Sequence, residues 1–280
     1  TQNISGKGNA YVGEGGFTPW SIKNKEKCCS SVLFIPGIQG SRLYKNSLIG
    51  ENQLWEPNYH SDIKKLLMNT AGKAIDSGIY TRDIIERTNI TQGGSFDVDV
   101  YDGFVEFLND LQKNYSIEDF SVFPYDWRSS AKDIAVYGTR YKTDKNVIVH
   151  RQLTQEIERL STISKTKKVT LISHSYGGLV IKELLHALYL SGKISLIDKV
   201  IFVGAPDNGS LMSLGSLLHG DNQDIGHGLI VNTYTMREFA QNLPSVYLTL
   251  PKSSEQIISG IASSSTVYKP IPDITGVEQL

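Results

Sequence analysis

Cysteine is almost missing from this chain. Its 280 residues include two, Cys28 and Cys29, side by side. A disulfide framework needs separated pairs and a zinc site needs more ligands, so neither organises the fold. A bridge between neighbours is strained, and the expectation is two plain thiols ahead of a strand. Charge of one sign is also lacking. Lys and Arg number 28 against 29 Asp and Glu, for a formal net charge of -1. That balance gives no lead towards nucleic acid or an anionic membrane. No run approaches the roughly 18 apolar residues needed to span a bilayer. No G-x-x-x-x-G-K-[ST] phosphate loop occurs. The GKG near the start lacks a preceding strand and the third glycine of a dinucleotide fingerprint. The chain opens on Thr1 without a charged-then-apolar leader, so a processed or partial chain is expected. The compartment stays open, a secreted or luminal one included, and the N-x-S/T triplets at Asn3, Asn89, Asn114 and Asn208 matter only there.

With 40% hydrophobic residues, the chain suits one large α/β domain or two small ones. Residues 1–30 read as a polar, Gly-rich arm, and 31–280 as the domain. Ser31–Ile35 (SVLFI) is a buried strand stopped by Pro36-Gly37. Further strands are expected at 78–85, 95–100, 119–123, 169–172 and 199–203. Helices are expected at 58–69, 101–112, 146–160 and 178–190. From Phe120 onward strand and helix alternate, which implies a mostly parallel sheet with helices on both faces. Ligands in such sheets bind beyond the carboxyl ends of the strands. The turns at Pro36-Gly37, Tyr125–Arg128, Ser173–Ser175 and Gly204–Pro206 therefore converge on one rim. Residues of about 45–100 read as a small cap insertion. Within it Trp55, Leu66, Leu67 and Met68 could line an acyl pocket, although such spacing is more often ordinary core.

The stretch VTLISHSYGGLVIKELL at 169–185 carries the chemistry. A strand meets Ser173-His174-Ser175-Tyr176-Gly177 and becomes a helix at once. The usual nucleophile elbow is G-x-S-x-G, and here a serine replaces the first glycine. The strained turn demands small residues two before and two after the nucleophile, and serine is small enough. Ser175 then stands above the strand end, and the Tyr176 N–H at the helix start can face a developing oxyanion. His174 is expected to be structural, because its side chain leaves the turn in another direction. A second N–H donor comes from the loop after an earlier strand. PGIQGSRL at 36–43 fits that place, with Ile38 the preferred donor and Gln39 the alternative.

PGIQGSRL, Leu54-Trp55, Pro124-Tyr125-Asp126-Trp127-Arg128, SHSYGG and Gly204–Ser210 together resemble the lecithin:cholesterol acyltransferase-like branch of the α/β-hydrolases. That branch includes lysosomal phospholipases and microbial lipases. The resemblance runs from about Val32 to Pro251. It implies an α/β-hydrolase fold, Ser175 as nucleophile, Ile38 and Tyr176 as oxyanion donors, and acyl transfer from a lipid ester to water or an alcohol. The substrate implied is a lipid ester, phospholipid or acylglycerol, with no cofactor; peripheral contact with a lipid surface is left open. Asp126 and Arg128 are expected to form a structural ion pair.

The nucleophile needs a base. In the order Ser, acid, His, Asp207 with His219 or His227 forms a conceivable triad. In the resembling family, however, the acid and histidine come later, beyond the PSVYLTLP-like segment at 244–251. No histidine follows there. The expectation is that the last part of the domain is missing from this chain. The alternative is a catalytically incomplete hydrolase fold that binds a lipid or a protein partner. The cluster His219, Asp221, Asp224 and His227 matches no zinc spacing, and SFDVDVYDG misses the EF-hand spacing, so no metal is expected.

Overall fold

The computed structural model describes residues 29–48, 50–91, 95–220 and 232–252. The chain enters on β1 (Ser31–Ile35), whose residues are all buried. Its alternating side chains serve two cores. Leu33 and Ile35 join the main cluster on one face, while Val32 and Phe34 join a smaller one on the other. A strand covered on both faces reads as an unbroken apolar run, which is why SVLFI shows no alternation.

The chain then leaves the central sheet. It runs through β2 (Ser41–Ser47), β3 (Gly50–Trp55), α1 (His60–Lys65), β4 (Ile79–Ile84) and a hairpin of β5 (Arg87–Thr91) and β6 (Ser95–Asp99). It returns through α2 (Asp102–Lys113) to β7 (Phe120–Val122), then adds α3 (Ala131–Tyr137), β8 (Thr139–Lys142) and β9 (Ile148–Arg151). A five-stranded sheet in the order β3-β2-β4-β8-β9 forms from these pieces. The stretch of about 45–100 thus shares a sheet with strands from 139–151, so its layer draws on sequence outside that range.

The expected helix over 146–160 is corrected here. Its first turn is β9, paired antiparallel with β8, and α4 starts only at Leu153 and ends at Ile163. Val149 lies four residues before Leu153 and so mimics the helical face, yet it is exposed on the strand while Leu153, Ile157 and Leu160 are buried. Cross-strand pairing overrides the periodicity.

After α4 come β10 (Val169–His174), α5 (Gly177–Leu190) and β11 (Ile197–Val203). The central sheet has the order β11-β10-β1-β7 and every neighbouring pair is parallel. The main core, with residues of α3, α4 and α5, covers one face, and α2 covers the other through Leu108 and Phe104. Three short helices follow: α6 (Leu211–His219), α7 (Thr233–Ala240) and α8 (Pro244–Leu248). Cys29 is disulfide-bonded, where a plain thiol was expected; Cys28 lies outside the described residues.

The loop after β7 ties the layers together. Phe123, Tyr125, Trp127 and Arg128 are fully buried. The Trp127 indole donates to the Ser41 carbonyl at 3.0 Å, and its ring meets those of Trp55 and Phe239 edge-on. Arg128 donates twice to the Asp126 carboxylate, at 2.8 and 2.6 Å, and once to the Leu66 carbonyl at 2.9 Å. The guanidinium is buried while the carboxylate reaches the rim, so the charge is neutralised where desolvation costs most. Asp126→Ala strands that guanidinium without its partner. It is expected to lower stability by about 3 kcal/mol, read as a lower urea midpoint at unchanged slope.

Candidate active site

β10 is buried along most of its length and delivers the chain to the carboxyl end of the sheet. There Ser175 takes φ 49°. A left-handed backbone at a non-glycine residue costs roughly 1–3 kcal/mol and persists only where the surroundings over-determine it. Two hydrogen bonds do so here. The Ser175 N–H donates to the Val203 carbonyl at 2.8 Å, and the Ser175 carbonyl accepts from the Gly178 N–H at 2.9 Å.

The glycines after it are steric necessities. A β-carbon at Gly177 would lie 2.5 Å from the Ile35 oxygen and 2.6 Å from that of Pro36. One at Gly178 would lie 2.5 Å from the Ala205 β-carbon. Their absence lets α5 start against the ends of β1 and β11. Ser173 is fully buried, and its hydroxyl has no hydrogen-bond partner among the described residues. Its small volume is what the turn uses.

Tyr176 opens α5 with its side chain wholly buried and its hydroxyl donating to the Ser129 carbonyl at 2.9 Å. Burial pushes that phenol far above its usual range. The side chain is therefore an anchor at the start of α5, and Tyr176 is not among the residues that line the cavity beside Ser175. Among the described residues neither the Tyr176 N–H nor the Ile38 N–H has an acceptor.

Ser175 opens into a cavity of about 650 Å³. Ile38, Gln39 and His174 line it beside the serine. The opposite wall belongs to the helices after β11 and is mostly apolar, with Met236, Phe239, Leu243 and Val246. The hydroxyls of Ser213 and Thr249 on that wall pair with each other at 2.7 Å. This wall escaped the sequence reading. Its signal was the helical spacing of Met236, Phe239 and Ala240, followed by Pro244 in the first turn of α8. Trp55, Leu66 and Met68 are core instead, Leu67 packs against them, and none of the four lines the cavity.

Among the described residues, the triad candidates Asp207 and His219 do not line the cavity with Ser175. Asp207 is exposed and paired with Lys182 at 2.5 Å. His219 ends α6 on the surface and does not line the cavity. His227 lies outside the described residues. His186 is exposed on α5. His174 does line the cavity, but its Nδ1 is 2.8 Å from the Tyr101 hydroxyl. Among the described residues no group of three metal-ligating side chains gathers, and no helix is long and apolar enough to cross a membrane.

A parallel sheet, a strained serine between strand and helix, and an earlier strand's loop facing that serine define an α/β-hydrolase. The family model described as "Lecithin:cholesterol acyltransferase" matches residues 66–275, and the chain belongs to that family. No curated protein matches it. Among solved structures, a chain in "The crystal structure of Tle4-Tli4 complex" is similar at 15% identity and a TM-score of 0.41, over 80% of this chain. The match covers 54% of that chain, so this protein spans about half its length.

His174 is exposed at the cavity, and the partial burial of its ring beside Tyr101 lowers its pKa from the usual 6.5. The unfolded chain then takes up this proton first, so stability falls as pH drops below about 6.5. His174→Asn keeps an acceptor near the Nδ1 position and removes the titration. Chemical denaturation from pH 7 to 5.5 should show a shallower loss of stability in that variant than in the unaltered protein.

Proposed function

We propose that the protein cleaves or transfers the acyl group of a lipid ester through an acyl-enzyme on Ser175. The observation that carries this reading is the serine itself, held at φ 49° at the mouth of a largely apolar cavity. A packing or capping serine has no need of such strain. Family membership supports a lipid ester, phospholipid or acylglycerol, as the substrate class.

In the proposed reaction the Ser175 oxygen attacks the ester carbonyl carbon as a base takes its proton. The carbonyl oxygen becomes an oxyanion, stabilised by the N–H groups of Ile38 and Tyr176, which have no acceptor among the described residues. Collapse breaks the ester C–O bond, and the leaving alcohol takes the proton back. Water or a second alcohol then attacks the acyl-serine and regenerates the hydroxyl. The apolar wall holds the acyl chain and keeps bulk water from the intermediate. Asp207 is committed to Lys182 and His219 faces solvent, so the base comes from outside the described residues. Within this sequence His227 is the candidate. No cofactor takes part in these steps.

Fluorophosphonate labelling with peptide mapping tests this reading. The expected outcome is a label on Ser175, lost in Ser175→Ala and slowed at least 100-fold in His227→Ala if that histidine is the base. A folded protein that takes no label would instead support a lipid- or partner-binding role.

A further inference from the structure

The loop between β1 and β2 supplies the proposed oxyanion donor, yet it is a short, glycine-bearing turn. Gln39 in it has φ 60°, and the Gly40 N–H closes it onto the Gly37 carbonyl at 3.1 Å. Left alone, such a turn could present either a carbonyl or an N–H to the serine. Three aromatic side chains fix its orientation. The Tyr125 hydroxyl donates to the Pro36 carbonyl at 2.7 Å. The Trp55 indole N–H donates to the Gln39 carbonyl at 3.0 Å. The Gly37 N–H donates to the Tyr101 hydroxyl at 2.9 Å. Both flanking carbonyls and the preceding N–H are thus occupied, while the Ile38 N–H has no acceptor among the described residues.

Tyr101 differs from the other two because it also reaches the elbow. Its oxygen lies 2.8 Å from His174 Nδ1. A phenol carries one proton. Its oxygen accepts from Gly37, and among the described residues His174 Nδ1 is the one acceptor in reach of its proton; the tautomer assigned is therefore the one with Nδ1 accepting and the His174 proton on Nε2. A chain of two hydrogen bonds therefore joins the oxyanion loop to the residue just before the nucleophile. The spacing leaves no slack. A β-carbon at Gly37 would lie 3.0 Å from His174 Nδ1 and 3.1 Å from the Ser175 β-carbon, and one at Gly40 would lie 3.0 Å from the Tyr101 ring. Tyr101 is 8% exposed, and its ring packs edge-on against Phe34 with centroids 5.2 Å apart.

We infer that the Tyr101 hydroxyl is a positioning residue for acyl transfer: it locks the Gly37 peptide to His174, so that the Ile38 N–H faces Ser175. This rests on the reading of Ser175 as nucleophile. The hydroxyl does not touch the reacting atoms. Its effect is on geometry, where a displacement of about 1 Å in a catalytic group can cost on the order of 100-fold in rate.

The test is Tyr101→Phe, which keeps the ring and its packing. Fluorophosphonate labelling over a range of concentrations separates the maximal rate at Ser175 from the half-saturating concentration. Hydrogen exchange at the Gly37 amide is measured in parallel. The expected result is a maximal rate lower by about 10- to 100-fold, an unchanged half-saturating concentration, and faster exchange at Gly37. A maximal rate equal to that of the unaltered protein overturns the positioning role and leaves Ser175 standing. A shift in half-saturation alone overturns it too, because that marks a reshaped cavity. If the unaltered protein takes no label at Ser175, the nucleophile reading fails separately. The exchange measurement then decides the Tyr101 tie alone: faster exchange in the variant upholds it, and equal exchange overturns it.

Discussion

The carbonyl oxygens of Ile35 and Pro36 sit where a β-carbon on residue 177 would have to be. That close approach of the first turn of α5 to the end of β1 is the constraint on which the rim depends. It brings the loop after the strand, with Ile38 and Gln39, to the same cavity as Ser175. A wider gap would relax Ser175 towards ordinary backbone. The strain at Ser175 and the bareness of Gly177 are two sides of the same packing decision.

Such a junction needs rigid support, and the loop Pro124–Arg128 provides it from behind. Tyr125 reaches the loop between β1 and β2, Trp127 reaches the start of β2, and Arg128 reaches the segment after α1. One five-residue stretch therefore holds three separate connections. The Arg128 charge is neutralised by its near neighbour Asp126, so the guanidinium can be buried while the carboxylate stays partly exposed. The aromatic contacts of Trp127 with Trp55 and Phe239 then link the inserted sheet to the helices that wall the cavity.

The cavity itself combines two environments. Ile38, Gln39, His174 and Ser175 occupy one side, and Met236, Phe239, Leu243 and Val246 the other. An ester with a long apolar chain presents the same division, a polar carbonyl beside a hydrocarbon tail. Methionine and phenylalanine suit such a wall, since neither adds a polar group that would need its own partner.

Much of this was legible without coordinates. SVLFI, VTLIS and KVIFV read as strands because residues in a parallel sheet stay apolar whichever face they take, and glycines after Ser175 read as a close approach because no other residue permits one. The pairing of Asp126 with Arg128 followed from two opposite charges two residues apart on a tight turn. The helix expected over 146–160 failed because Val149 and Leu153 fit a helical period by coincidence, and only the cross-strand partner of Val149 decides between strand and helix. The apolar wall and the Tyr101 link were hidden for a different reason. Tyr101 and His174 are 73 residues apart, and contacts at that distance along the chain leave no local period or spacing to read. The elbow was determined by the sequence itself, because its strain is local and writes itself in small residues. What faces the elbow was decided by tertiary structure, because it is assembled from segments that meet only when the sheet has formed.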